Sequence, residues 1–291
     1  MHDVVVVGAG IVGLTCAARL QQAGARVAVV TADEPAQTVS AIAAAVWYPS
    51  HVVSDQRLLG WARATFDELA AQADRGIPGV VMRPTRMLMR VTTAQRPGWA
   101  AAVRDFRVVT RARPFVEEWQ FTVPSVEMKP YLAWLAQRIT DGGGAWHRRR
   151  LTALDEAATL APIVVNASGL GAAALASDPA VHPARGQIVV VANPGLDTSV
   201  RDEGNPAGMT YIHPRRSDVV LGGTYDAGES DRTPDRAVSQ RILARCEILV
   251  PQLRGAPVLE TLVGLRPARH GGIRLERDPV GLPGGAGLIH D

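Results

Sequence analysis

The stretch Gly8-Ala9-Gly10-Ile11-Val12-Gly13 has the residue types and spacing that most directly specify chemistry. A β-branched run, Val4-Val5-Val6-Val7, leads into it, and helical spacing from Leu14 leads out. Gly24 stops that helix, and a second apolar run covers 27–30. Strand, glycine turn, helix and strand in this order cradle the pyrophosphate of a dinucleotide. Gly8 makes the turn tight, Gly10 lets the backbone approach the phosphates, and Gly13 lets the helix lie close on the strand. Ile11 and Val12 begin the helix, where unpaired N–H groups and the positive dipole end face an anion.

Other candidates are weaker on residue type alone. An acid after the second strand serves the ribose hydroxyls in such folds; here Asp33 arrives slightly late. Residues 43–49 are alanine-rich and then aromatic, which suits close approach of a backbone or flat ring, or a tightly packed helix. Asn166-Ala167-Ser168-Gly169-Leu170-Gly171-Ala172 is a second strand-to-helix glycine turn. Arg266 and Arg269 are equal candidates for an exposed cation near a strand end, and Tyr211 and Tyr225 read as strand aromatics.

The elements that must position these residues follow from periodicity. Helical spacing covers 58–71, 131–139 and 238–249, and Gly142-Gly143-Gly144 closes the second of these. Strand signals fall at 80–82, 86–91, 108–109, 151–154 and 163–165, then with period two at 186–191, 209–214, 219–225 and 262–266. The expected fold is α/β, a Rossmann-type nucleotide-binding domain interleaved with an antiparallel sheet domain. If Tyr211 and Tyr225 line one pocket, a three-residue loop pairing Pro214 with Asp218 puts them on one face. His213 is expected to point away from that face.

Bulk composition excludes several classes. The 291 residues are 47% hydrophobic and 20% charged, with a net charge of +3, as in an ordinary two-domain globular chain. The run His147-Arg148-Arg149-Arg150 reads as a strand with a solvated face, so no nucleic-acid partner is expected. Glycines break the N-terminal apolar run, which reads as neither signal peptide nor membrane span. Two cysteines, Cys16 and Cys246, make no disulfide framework or metal-ligand pattern; a reducing, cytoplasmic setting and no metal are expected. A homodimer is compatible with the sequence, which does not encode oligomeric state legibly.

Taken with the glycine turn, seven segments resemble the D-amino-acid oxidase family of FAD-dependent oxidases over almost the whole chain. The others are 43–49, 166–172, Arg185-Gly186-Gln187, Tyr211-Ile212-His213-Pro214-Arg215, Gly222-Gly223-Thr224-Tyr225 and Val263-Gly264-Leu265-Arg266-Pro267-Ala268-Arg269. The resemblance implies an FAD domain over 1–50, 130–184 and 260–291, and a substrate domain over 51–129 and 185–259. It implies oxidation of a D-amino acid to the imino acid by hydride transfer from Cα to the flavin. O₂ reoxidises the flavin to give H₂O₂, and hydrolysis yields a 2-oxo acid and ammonia.

Carried over by position, the resemblance makes Arg266 the clamp for the substrate carboxylate, with Tyr211 as a second contact. Tyr225 matches a carboxylate-binding tyrosine of some members and a basic residue of D-aspartate-specialised relatives, which implies a neutral substrate. Thr38 and Ser40 match polar FAD contacts, and Ala44, Ala45 and Val46 match backbone against the flavin ring. Gly264 belongs to the same cofactor set, Leu151 matches a contact to the adenine end, and Ser168 with Gly169 match another. Family members continue past the match to Leu288-Ile289-His290 with a glycine-rich turn that completes the flavin site; this sequence stops at Asp291. The rival readings are a glycine- or sarcosine-type amine oxidase, a catalytically silent nucleotide-binding protein, and an NAD-dependent dehydrogenase.

Overall fold

A computed structural model describes residues 1–49, 56–93 and 95–291. Strands and helices are numbered in chain order. The first sheet runs β14 (Glu276–Arg277), β15 (Gly287–His290), β7 (Ile163–Asn166), β1 (Val4–Val7), β2 (Val27–Thr31), β6 (Ala145–Arg148). Its strands are parallel except β14, which lies antiparallel on β15. Helices α1 (Ile11–Gln22) and α3 (Met128–Asp141) cover one face, where Val4 and Val6 meet Leu14, Ala17 and Leu132. On the other face Val5 and Val7 meet Leu154, Ala157 and Leu288. Burial on both faces explains the unbroken valine run of β1, since an alternating pattern would leave one face polar.

The second sheet follows β12 (Asp226–Ala227), β8 (Val181–Ala192), β11 (Asp218–Gly222), β10 (Thr210–Pro214), β9 (Ser199–Asp202), β3 (Val80–Met89), β5 (Glu117–Val126), β4 (Arg104–Thr110). Strand β13 (Val258–Arg269) pairs with β8 along the opposite side. Only the β3–β9 pair is parallel among those described. Alternate residues face opposite ways. Val189, Val191, Ile212 and Leu221 pack with Ile242 and Cys246 of α6 (Arg236–Leu249), while Ile188, Val190 and Val220 receive Ile42 and Ala44. On that second face, α2 (Gln56–Asp74) contributes Phe66 to an aromatic cluster with Trp99, Trp119 and Phe121. Two short helices, α4 (Asp155–Ala158) and α5 (Ala172–Leu175), flank β7 in sequence.

Several expectations need correction. Residues 151–154 form no strand; Leu151 is buried core in a connecting segment. Residues 43–49 are not helical: Val46 bridges Ser125, and the Trp47 N–H donates to the Pro124 carbonyl at 2.9 Å. Strand β5 was not foreseen, although it runs between β3 and β4. Its sequence alternates imperfectly, because Glu118 is fully buried and paired with Arg86 and Arg111. Pro214 pairs with Val219, one residue beyond the expected register, and β11 ends at Gly222 before Tyr225. Strand β13 starts at Val258 within the second sheet, so the expected boundary at 260 cuts through it. The expected 50/51 boundary lies outside the described residues.

Candidate functional site

The glycine turn is built as its spacing implies. A Cβ on Gly13 would lie 2.0 Å from the Gly8 carbonyl oxygen, and one on Gly8 2.2 Å from the Ala167 carbonyl oxygen. Gly8 also has φ +117°, which L side chains rarely adopt. The turn is thus wedged between α1 and the second glycine turn at Ala167-Ser168. Gly10 caps α1 without a side-chain hydrogen bond, and no acid occupies the first turn. The Ile11 N–H donates to Ser40 Oγ at 3.0 Å, tying the helix start to the next chain segment. Half-exposed Val12 follows on an otherwise uncapped first turn, the arrangement that receives a phosphate.

At the end of β2, Asp33 pairs with Arg150 at 3.5 Å, next to Leu151. Both side chains are more than half exposed, so the pair contributes less than about 1 kcal/mol and leaves Asp33 available to a hydroxyl. Thr38 Oγ1 donates to the Pro35 carbonyl at 2.7 Å and shapes the turn before Ser40. Ser168 Oγ donates to Asn166 Oδ1 at 2.6 Å, and Gly169 turns with φ +61°.

From Ser40 the chain enters a cavity of about 670 Å³ whose walls include Ile11, Ser40, Ala45, Val46 and Arg266. Ala45 adopts φ +44°, unusual for a residue with a Cβ, and its carbonyl accepts the Val126 N–H at 2.8 Å. That bend turns the small-residue segment across the mouth of the second sheet. Ala44 and Tyr211 both pack against the cluster of Ile188, Val190 and Val220, which brings the segment and the tyrosine to the same face of the second sheet. Gly264 permits this closeness: a Cβ there would lie 3.1 Å from Val39 Cγ2.

The cationic end is specific. Arg266 Nη1 donates to the Thr224 carbonyl at 3.2 Å, and its Cζ lies 5.9 Å from the Tyr225 ring centroid. Among the described residues no carboxylate pairs with Arg266. Arg269, by contrast, donates to Asp178 at 3.0 Å. A guanidinium without a protein counter-ion, set in a cavity wall, is suited to a bidentate carboxylate. Two glycines make room for the site. A Cβ on Gly186 would lie 2.0 Å from Arg266 Nη1, and one on Gly222 1.8 Å from Tyr211 Cζ. Burial pushes the Tyr211 phenol upward against the pull of Arg266 and Arg201, so the hydroxyl stays protonated and can donate.

His213 does not point away from Tyr211. Residues two apart share a strand face, and the rings stack at 4.8 Å with 16° between planes. Burial, then the positive charges of Arg201 and Arg83, hold His213 well below the usual histidine range, so it is neutral. Tyr225, more than half exposed, reaches Arg266 from the loop after β11 rather than from a strand face.

Sequence reasoning missed Arg201. It lies directly across from Tyr211 on β9, is 9% exposed, forms an ion pair with Glu203, and has its Cζ 4.0 Å over the Tyr48 ring. The alternation of 199–202 was the available signal, obscured because all four residues are buried. The roles of Gly186, Gly222 and Thr224 were also missed, although their motifs were visible.

Comparisons with known proteins show the family and the fold. A family model described as FAD dependent oxidoreductase, abbreviated DAO, matches residues 3–290. A D-amino-acid oxidase of Rubrobacter xylanophilus is 44% identical over 295 residues, covering 99% of this chain and 88% of the relative. The human D-aspartate oxidase is 36% identical, covering 94% and 83%. Glycine oxidase from Geobacillus kaustophilus superposes with a TM-score of 0.77 at 21% identity, covering 99% of this chain and 88% of that one, a likeness of fold.

Proposed function

The chain belongs to the DAO family of FAD-dependent oxidoreductases, and from that premise we propose that it oxidises neutral D-amino acids to 2-oxo acids, ammonia and H₂O₂. The observation that carries this reading is Arg266, a guanidinium with no carboxylate partner among the described residues, seated against Gly186 in the wall of the cavity that Ile11 and Ser40 also line.

The residues present fit FAD. A Gly8–Gly13 turn that tolerates no Cβ at its ends, an uncapped helix start and the small-residue bend at Ala44-Ala45-Val46 together accept a phosphate and a flat ring. Gly8, Gly10, Ile11, Val12 and Gly13 hold the pyrophosphate; Asp33 and Leu151 flank the adenosine, and Thr38, Ser40, Ser168, Gly169 and Gly264 shape the path between. When bound, FAD supplies the two-electron acceptor for the hydride of the substrate Cα and passes the electrons to O₂.

The protein's own part is orientation. Arg266 binds the substrate carboxylate, Tyr211 Oη donates a second hydrogen bond to it, and Tyr225 closes over the same end. Fixing the carboxylate restricts how the single Cα–H bond can be turned toward the cofactor. No base is needed if the amine binds neutral, and His213, stacked on Tyr211, is neutral rather than poised to titrate. The proposed division assigns 1–49, 128–180 and 270–291 to the cofactor domain and the remaining described residues to the substrate domain. No helix is long and apolar enough to cross a membrane among the described residues. The two free thiols support a reducing, cytoplasmic setting.

A neutral substrate is favoured because the second guanidinium beside Tyr211 is already neutralised by Glu203. The test is a panel of D-amino acids, glycine and sarcosine with the FAD-loaded protein and peroxide detection. Neutral D-amino acids should give the highest kcat/KM. A preference for D-aspartate overturns the substrate assignment, and a preference for glycine or sarcosine places the chain with those oxidases.

A further inference from the structure

The motif Arg185-Gly186-Gln187 has its middle residue against Arg266 and its flanking side chains on the other face of β8, as strand alternation requires. Those two side chains are 6% and 0% exposed, unusual for an arginine and a glutamine, and among the described residues they bond to residues 226–239 and to each other. Arg185 Nε donates to the Asp231 carbonyl at 2.7 Å and Nη2 to the Thr233 carbonyl at 2.8 Å. Arg185 Nη1 lies 3.6 Å from Asp226, and Nη2 also donates to Gln187 Oε1 at 3.0 Å.

Gln187 finishes the clasp. Its Oε1 accepts the Asp235 N–H at 2.9 Å, and its Nε2 donates to the Asp235 carbonyl at 2.7 Å and to Ser239 Oγ at 2.8 Å. Asp235 in turn caps α6 by accepting the N–H groups of Ala237 and Val238. The Gln187 backbone N–H donates to Thr224 Oγ1 at 3.0 Å, and the Thr224 carbonyl is the acceptor for Arg266. The segment held this way is otherwise solvated: residues 225–235 are exposed throughout and carry Tyr225 at their start. Such a loop has little burial of its own to order it. A fully satisfied buried polar network supplies the order instead, and a half-satisfied one would not.

We propose that Arg185 and Gln187 are positioning residues for substrate binding. From behind the sheet they fix loop 224–235, so that Thr224 holds Arg266 in its slot and Tyr225 stays beside it. They do not touch the substrate. The proposal rests on the carboxylate-binding reading above and deepens it: affinity for the carboxylate is set partly by two side chains on the far face of the strand.

The test compares the FAD-loaded parent with Q187L, Q187E and T224V. Steady-state rates with D-alanine, titration with benzoate followed by flavin absorbance, FAD content and hydrogen exchange of 225–235 are measured together. Q187L and T224V should each raise KM and the benzoate Kd about tenfold, with kcat within about threefold and FAD content equal to the parent. Q187E keeps the acceptor for Arg185 and the Asp235 N–H, and should fall between. Exchange in 225–235 should quicken in Q187L while β1 and α1 stay protected. A parent-like Kd and parent-like loop exchange in T224V and Q187E overturn the proposal, and these variants decide it if Q187L does not fold. If the parent itself binds no benzoate and oxidises no D-amino acid, the functional reading fails instead. Loop exchange unchanged in every folded variant then overturns the clasp independently of any substrate.

Discussion

Arg266 and Arg269 have the same side chain, sit three residues apart on one strand and therefore point to opposite faces. Their surroundings separate them: Arg269 is spent on Asp178, and Arg266 has no carboxylate partner among the described residues. Replacing Arg266 by Leu should remove a charge-assisted bidentate contact worth about 3–4 kcal/mol, lowering kcat/KM by a factor of about 100 to 1,000 with FAD content unchanged. Tyr211→Phe should cost about tenfold through loss of one hydrogen bond to an anion. Both are read in the peroxide assay. Glu203→Gln tests the neutral preference, since it frees Arg201 beside Tyr211. The ratio of kcat/KM for D-aspartate to that for D-alanine should rise about tenfold; an unchanged ratio means Arg201 does not face the substrate. This pair was not legible in the sequence, where Arg201-Asp202-Glu203 reads as a surface charge run. Only the register of β9 against β10 shows that Arg201 faces the same way as Tyr211.

At the scale of elements, close approach decides the site. An Ala at Gly222 would drive a methyl into the Tyr211 ring, and an Ala at Gly186 would displace the Arg266 guanidinium. Each substitution should raise KM while FAD absorbance persists, whereas Gly13→Ala should push α1 off β1 and lose the cofactor first. The phosphate turn and the order of strands and helices around it were readable, because unbroken valines and spaced glycines encode a parallel βαβ unit locally. The register of the β10–β11 hairpin was not, because Arg216 and Ser217 carry no turn signature. Strand β5 escaped because its one buried charge breaks the alternation. Burial alone would raise the Glu118 carboxyl, yet Arg86, Gln120 and Arg111 hold it at about 2. A carboxyl lowered on folding stabilises above its unfolded range and loses that contribution as pH falls through its folded value. Wild-type stability should therefore drop between about pH 4.5 and 2, and the Glu118→Gln variant should be less stable at pH 7 with a shallower acid transition.

For the molecule as a whole, the FAD path proposed above crosses the junction of the two sheets, so loading should couple them. Free FAD at 100 times its Kd should add about 2.7 kcal/mol to unfolding stability. A single thermal transition that moves up with FAD is the expected result; two transitions of which one moves would show that the sheets unfold separately. The pairing of β1 with β7 and of β7 with β15 has a consequence for how the protein is made. The phosphate turn at Gly8 is among the first parts to leave the ribosome, yet the strand that backs it lies at 163–166 and the next at 287–290. Translation at about 5–20 residues per second leaves a hydrophobic valine strand, paired early with β2, waiting many seconds for its other neighbour, β7. Nascent chains arrested before residue 163 should therefore bind chaperones rather than nucleotide, and the vitamin-derived cofactor should be captured only after synthesis has passed β7.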